Sequence, residues 1–79
     1  NVIQITIQPK SPIANHLVNE VKFPKESMIA TLRRGRHTII PRGDTLLQPG
    51  DILVIVAEGE AKRIIEELCK THNSDNPTN

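Results

Sequence analysis

The stretch SMIATLRRGRHTIIPRGDTLLQPGD, residues 27–51, decides the fold. It reads as two short apolar strands, residues 28–32 and 38–40, joined by a basic turn of Arg33, Arg34, Gly35, Arg36 and His37. Two β-prone runs around a short glycine-containing turn form a hairpin pattern. Pro41 stops the returning strand, because proline has no N–H for a ladder and is tolerated only at sheet edges and strand ends. Arg42-Gly43-Asp44 supplies a further turn. In Gln48-Pro49-Gly50-Asp51 the proline presets one φ and the glycine supplies the positive φ that a type II turn needs. Four arginines fall between positions 33 and 42, beside apolar residues. If the protein binds an anionic ligand, this is where it is expected.

Downstream, Ile52-Leu53-Val54-Ile55-Val56-Ala57 runs without a polar break. A short β-branched run of this kind predicts a strand buried on both faces, in the centre of a sheet. Glu58-Gly59-Glu60 then leads into a helix with an apolar stripe of Ala61, Ile64, Ile65, Leu68 and Cys69. Glu58 and Glu60 near its start, and Lys70 and His72 near its end, have signs that suit the helix dipole.

Upstream, VIQITIQ at residues 2–8 alternates strictly. Ile3, Ile5 and Ile7 share one side of a half-buried strand. Ser11-Pro12 reads as a helix start, with serine as N-cap and proline at the first helical position. Ile13, Leu17, Val18 and Val21 follow at helical spacing, and Phe23-Pro24 ends the element. The predicted order is strand, helix, three strands, helix. It gives an α+β fold: a small four-stranded, mostly antiparallel sheet with two helices packed on one face. The other face and the edge strands would want a partner. Residues 1–71 form one domain, and the polar tail 72–79 is expected to be disordered.

The totals narrow the function classes. At 79 residues the chain can bury only about 60% of its unfolded surface, so a second copy or a larger attached protein is the expected supplement. One cysteine, Cys69, excludes an internal disulfide and fits a reducing compartment. His16, His37 and His72 are scattered, not set at metal-ligand spacing. A net charge of +1 is too balanced for a general nucleic-acid binder. With Phe23 as the one aromatic residue, there is no platform for stacking single-stranded bases. No run reaches membrane-span length and none reads as a signal peptide. The chain opens at Asn1, without a methionine, directly on a strand pattern, so a piece of a longer protein is expected, with processing as the alternative.

The ordered set Arg33, Gly35, Ile40, Pro41, Gly43, Asp44, Thr45, Leu47, Pro49, Gly50, Asp51 and the run 52–56 resembles the C-terminal regulatory domain of the RCK family, also called the TrkA C-terminal domain. Ser11-Pro12-Ile13-Ala14 resembles the family's short helix after the first strand. The resemblance covers about residues 1–70. It implies a cytosolic ligand-sensing module, at the cytoplasmic face of the membrane, fused to or associated with an ion channel or transporter. It also implies a homodimer with ligand sites at the dimer interface, and in some bacterial members the ligand is cyclic di-AMP. No cofactor is expected.

Such a ligand needs cationic donors for its two phosphates and apolar walls for its bases. Arg33, Arg36 and His37 are the candidate donors, since a guanidinium fork matches phosphate oxygens. Ile29, Leu32, Ile39, Ile40 and Pro41 are the candidate walls, with the backbone of residues 38–40, Thr38 included, reading base edges. A two-fold ligand would take one such set from each chain. Plainer readings stand beside these. Three arginines at a turn also fit a solvated loop, and Arg34 and Arg42 are expected in solvent. Met28 and residues 52–56 read as core, His16 as surface, and Cys69 as a buried small hydrophobe. Asp44 and Asp51 read as turn residues bonded to their own backbone. Glu66-Glu67 reads as a solvated face with Arg63.

No grouping of nucleophile, base and acid, no phosphate loop and no metal cluster motivates an enzyme. The rivals are a ligand-free dimerisation module of a channel or transporter and, more weakly, a DNA-binding hairpin using Arg33 to Arg42.

Overall fold

A computed structural model describes residues 1–71; the expected disordered tail, 72–79, lies outside the described residues. Four strands make one sheet: β1 (Val2–Thr6), β2 (Ser27–Arg34), β3 (His37–Ile39) and β4 (Ile52–Ala57). Their spatial order is β1-β4-β2-β3, and every neighbouring pair is antiparallel. The 52–57 run is central, as its composition predicts. One helix, α1 (Glu60–Cys69), follows β4.

The predicted first helix is absent. The segment after β1 is a series of turns ending in a single 3₁₀ turn, Val18–Glu20. Two residues, Lys10 and Asn15, hold positive φ (+66° and +67°), which interrupts any right-handed helix. The backbone groups that a helix would pair internally are used across space instead. Asn15 N–H donates to the Leu47 carbonyl (2.7 Å), Leu47 N–H to His16 (2.9 Å), Val18 N–H to Thr45 (2.9 Å) and Asn19 N–H to Gly43 (2.9 Å). Residues 15–19 therefore form an irregular ribbon with 43–47, marked by a bridge between Leu17 and Leu46. Most of the apolar residues taken for a helix stripe still serve the core: Ile13 is buried, Val18 and Val21 pack against the core, and Leu17 is half-buried. Ser11 caps nothing; its hydroxyl is buried without a hydrogen-bond partner.

The core lies between one sheet face, α1 and this ribbon. Ile7, Leu32, Leu47, Leu53, Ile55 and Ile65 are fully buried there. Along α1, Ala61, Ile65 and Cys69 are buried and Leu68 is half-buried, while Ile64 is 39% exposed. In β4 burial alternates, so Leu53, Ile55 and Ala57 face the core and Ile52, Val54 and Val56 face outward. The expectation of burial on both faces is corrected to burial on one.

Met28 is also corrected, from core to 63% exposed. The cause is a β-bulge in β2. Ile29 pairs with Ile55, but Thr31, not Ala30, pairs with Val54. The extra residue reverses the alternation, so Ile29 and Leu32 share the core face while Met28, Thr31 and Arg33 share the open one. That open face carries the exposed Val2 and Met28 and the half-buried Ile52, Val54 and Val56.

Candidate functional site

The β2–β3 hairpin closes on a two-residue loop, Gly35-Arg36, with Arg34 paired to His37. Gly35 has φ +62° and Arg36 does not have positive φ, the signature of a type II′ turn with glycine first. β2 pairs with β4 only as far as Arg33–Ile52, so the hairpin tip from Arg34 to His37 overhangs the sheet.

The three arginines of this tip have different fates. Arg34, expected in solvent, is half-buried and committed. Its Nε and Nη2 donate to Asp51 Oδ1 and Oδ2 at 2.9 and 2.8 Å, and Nη2 also donates to the Leu46 carbonyl at 2.8 Å. The Asp51 bonds raise the Arg34 pKa, outweighing the smaller opposing effect of its partial burial. Asp51 is 2% exposed and also accepts the Gln48 N–H at 2.9 Å. That last bond closes the turn as predicted, together with Asp51 N–H to the Gln48 carbonyl and a Gly50 φ of +91°. Arg33 and Arg36 are exposed, and their guanidinium groups make no hydrogen bond or ion pair among the described residues.

The sheet divides the predicted ligand residues between its two faces. Arg33 and Thr38 pair on the open face, and Ile40, just past β3, is 73% exposed. Arg36 and His37 are exposed at the tip. Ile29, Leu32 and Ile39 lie on the core side. Leu32 is fully buried, so its side chain offers no surface to a ligand. Ile29 and Pro41 instead meet in a cleft of about 260 Å³, lined also by Val18, Phe23, Ser27, Arg42 and Gly43. Thus no single depression in one chain gathers all nine predicted residues among those described.

Sequence reasoning missed Phe23 and Arg42 as cleft residues. The placement of Arg42 depends on the turn of residues 42–45, closed by Thr45 N–H to the Arg42 carbonyl and by Arg42 N–H to Thr45 Oγ1. The sole aromatic residue standing beside a proline was the available signal for Phe23. A second cavity, about 340 Å³, lies between β1 and α1 and is lined by Ile5, Thr6, Gln8, Glu66, Cys69 and Lys70. It contains none of the predicted residues. Among the described residues no group of three or more His, Cys, Asp or Glu is placed to hold a metal ion, and no helix is long and apolar enough to cross a membrane.

Comparison with known proteins accords with this arrangement. A family model described as the TrkA-C domain matches residues 2–70. The chain is 41% identical over 69 residues to "Trk system potassium uptake protein TrkA homolog 1" of Methanosarcina mazei, covering 87% of this chain and 15% of that protein. It is 31% identical over 68 residues to "Trk system potassium uptake protein TrkA" of Mycobacterium tuberculosis, covering 86% of this chain and 31% of that protein. The chain therefore spans less than a third of the length of these relatives. Among solved structures, one described as "Structure of RCK domain with cda" superposes with a TM-score of 0.77 at 20% identity, covering 87% of this chain and 97% of that chain. That likeness concerns the fold. With the strand order, the hairpin and the Pro-Gly-Asp turn in place across the matched residues, the chain belongs to the TrkA-C domain family.

Proposed function

We propose that the chain is a cytosolic regulatory domain of a membrane ion-transport system, and that two copies bind an anionic nucleotide, cyclic di-AMP, at their interface. The observation that carries this reading is the contrast within one turn. Arg34 is consumed by Asp51, whereas Arg33 and Arg36 stand exposed with no partner among the described residues, beside a sheet face on which Val2 and Met28 are exposed. A free guanidinium pair suits phosphate oxygens, and apolar surface suits bases. One chain supplies half of such a site; a two-fold copy supplies the rest.

Two kinds of support come from outside this chain. The relatives are Trk-system potassium uptake proteins, and a neighbour of the same fold is described as an RCK domain with cda. Regulation would work by population shift. A ligand that binds better to one relative orientation of the two copies biases an attached transport component toward the state that holds that orientation.

Isothermal titration of the 79-residue chain with cyclic di-AMP tests the reading, with cyclic di-GMP, ATP and NADH as controls. Selective binding near one ligand per two chains, lost in Arg33→Ala or His37→Ala with the fold intact, is the expected result. Normal binding by both variants overturns the site assignment. Binding of a different nucleotide keeps the regulatory role and changes the signal. A stable dimer indifferent to every nucleotide favours a ligand-free dimerisation module instead, a reading motivated by the exposed Val2 and Met28 on the open face.

A further inference from the structure

We propose that Arg34 is a positioning residue, whose clasp on Asp51 fixes the overhanging hairpin tip so that Arg33 and Arg36 are presented as a preformed pair of free cations. The inference rests on the anion-binding reading above and adds a role for a residue that does not touch the ligand.

The case begins with what the tip lacks. β3 is three residues long, lies at the sheet edge, and pairs only with β2. The last β2–β4 pair is Arg33–Ile52, so among the described residues no third strand supports residues 34–37. A two-stranded ribbon of this length is marginal by itself in water. The residue that would continue β4 toward the tip is Asp51, and Asp51 meets Arg34 through side chains where the ladder stops. The bidentate geometry fixes the direction of the guanidinium as well as its distance.

Asp51 is itself held from three sides. Its carboxylate accepts the Gln48 N–H, its backbone carbonyl accepts the Ile7 N–H at 2.9 Å, and the adjacent Gly50 N–H donates to the Ile7 carbonyl at 2.8 Å. Arg34 Nη2 also binds the Leu46 carbonyl, beside the Leu47 backbone that pairs with Asn15 and His16. The tip is thus tied to the end of β1 and to the 15–19 ribbon, both parts of the packed core. Because alternation puts Arg34 toward Asp51, its neighbour Arg33 must face the open side. A tip ordered before binding spares the ligand the entropy of ordering it.

The test compares wild type with Arg34→Lys, Asp51→Asn and the double variant. Arg34→Lys keeps the charge and loses the fork. Cyclic di-AMP affinity is measured at a temperature where circular dichroism shows all of them folded. Backbone amide exchange is recorded without ligand. The expected result is about tenfold weaker binding in each single variant, with no further loss in the double variant because both remove one interaction. The amides of Arg34 and His37, which pair with each other across the hairpin, should exchange faster while those of Ile5 and Val54 stay protected. Variants that melt earlier but bind like wild type overturn the proposal and leave the clasp a purely structural one. If wild type binds no nucleotide, the anion-binding reading fails and this proposal falls with it, an outcome told apart because it appears before any substitution is made. Should a variant not fold, exchange in wild type decides. Arg34 and His37 amides opening far faster than those of Leu47 and Asp51 would show that the clasp does not hold the tip, and comparable protection would support it.

Discussion

The N–H of Asn15 meets the carbonyl of Leu47 at 2.7 Å because Asn15 holds φ +67°. That left-handed residue turns the chain out of the tight turns at 11–14 and lays it alongside 43–47. A β-branched residue there would carry a steric penalty of about 1–2 kcal/mol, whereas glycine carries none. Asn15→Val is therefore expected to lower stability by about 1–2 kcal/mol, and Asn15→Gly to stay within about 1 kcal/mol of the parent. Urea denaturation of the three proteins checks this.

The same residue shows which parts of the fold were legible. β1, the hairpin, the Pro49-Gly50 turn and the central placement of β4 follow from signals carried by adjacent residues: alternation, a stop, a turn pair, an apolar run. The first helix was misread because Ile13, Leu17, Val18 and Val21 fit helical spacing and equally fit a ribbon that turns its apolar side inward. Only partners distant in sequence, Gly43, Thr45 and Leu47, separate the two. The bulge at Ala30 was hidden for a related reason, since a one-residue slip leaves no compositional mark yet moves Met28 to the open face. At the candidate site, Arg34 sits among similar arginines, and its partner is 17 residues away. Its spacing of two from Leu32 was the only hint that it turns toward the core side.

Removing the carboxylate of Asp51 should be costly. Asp51→Ala strands the Arg34 guanidinium and leaves the Gln48 N–H without its side-chain acceptor. Fully buried pairs lose about 3–5 kcal/mol when one partner is removed; water can still reach the half-buried Arg34, so about 2–3 kcal/mol is expected. Chemical denaturation gives the value.

Arg33 and Arg36 should behave oppositely. With no partner among the described residues, Arg33→Ala and Arg36→Ala are expected to leave stability within about 0.5 kcal/mol, as for surface positions generally. A loss comparable to that of Asp51→Ala would mean that these side chains support the hairpin rather than await a ligand. Thermal melting by circular dichroism distinguishes the two.

Cys69 makes stability depend on alkaline pH. It is buried at the end of α1, and burial pushes its thiol up from 9.0 to about 11. The unfolded chain ionises first, so the thiol's contribution is fully present below about pH 9 and is lost as pH rises toward 11. Denaturation midpoints should fall across that window, and the Cys69 share of the fall should vanish in Cys69→Ala. A thiol reagent at pH 8 should label Cys69 only as fast as the domain opens.

Val54 lies at the middle of the open sheet face, opposite Gln4 on one side and Thr31 on the other. If two copies cover that face, a charge there must be buried in apolar surroundings in both chains at once. Losing one buried valine contributes about 1.5–3 kcal/mol, so two symmetric copies of Val54→Lys should weaken the dimer by about a hundredfold or more. The fold should survive, because Leu53 and Ile55 on the core side are untouched. Sedimentation equilibrium should then show a monomer with an unchanged circular dichroism spectrum. A dimer that persists would place the contact elsewhere, on the β1 or β3 edge or on the cleft of Phe23 and Pro41, and would separate the basic tip from the apolar face as one shared site.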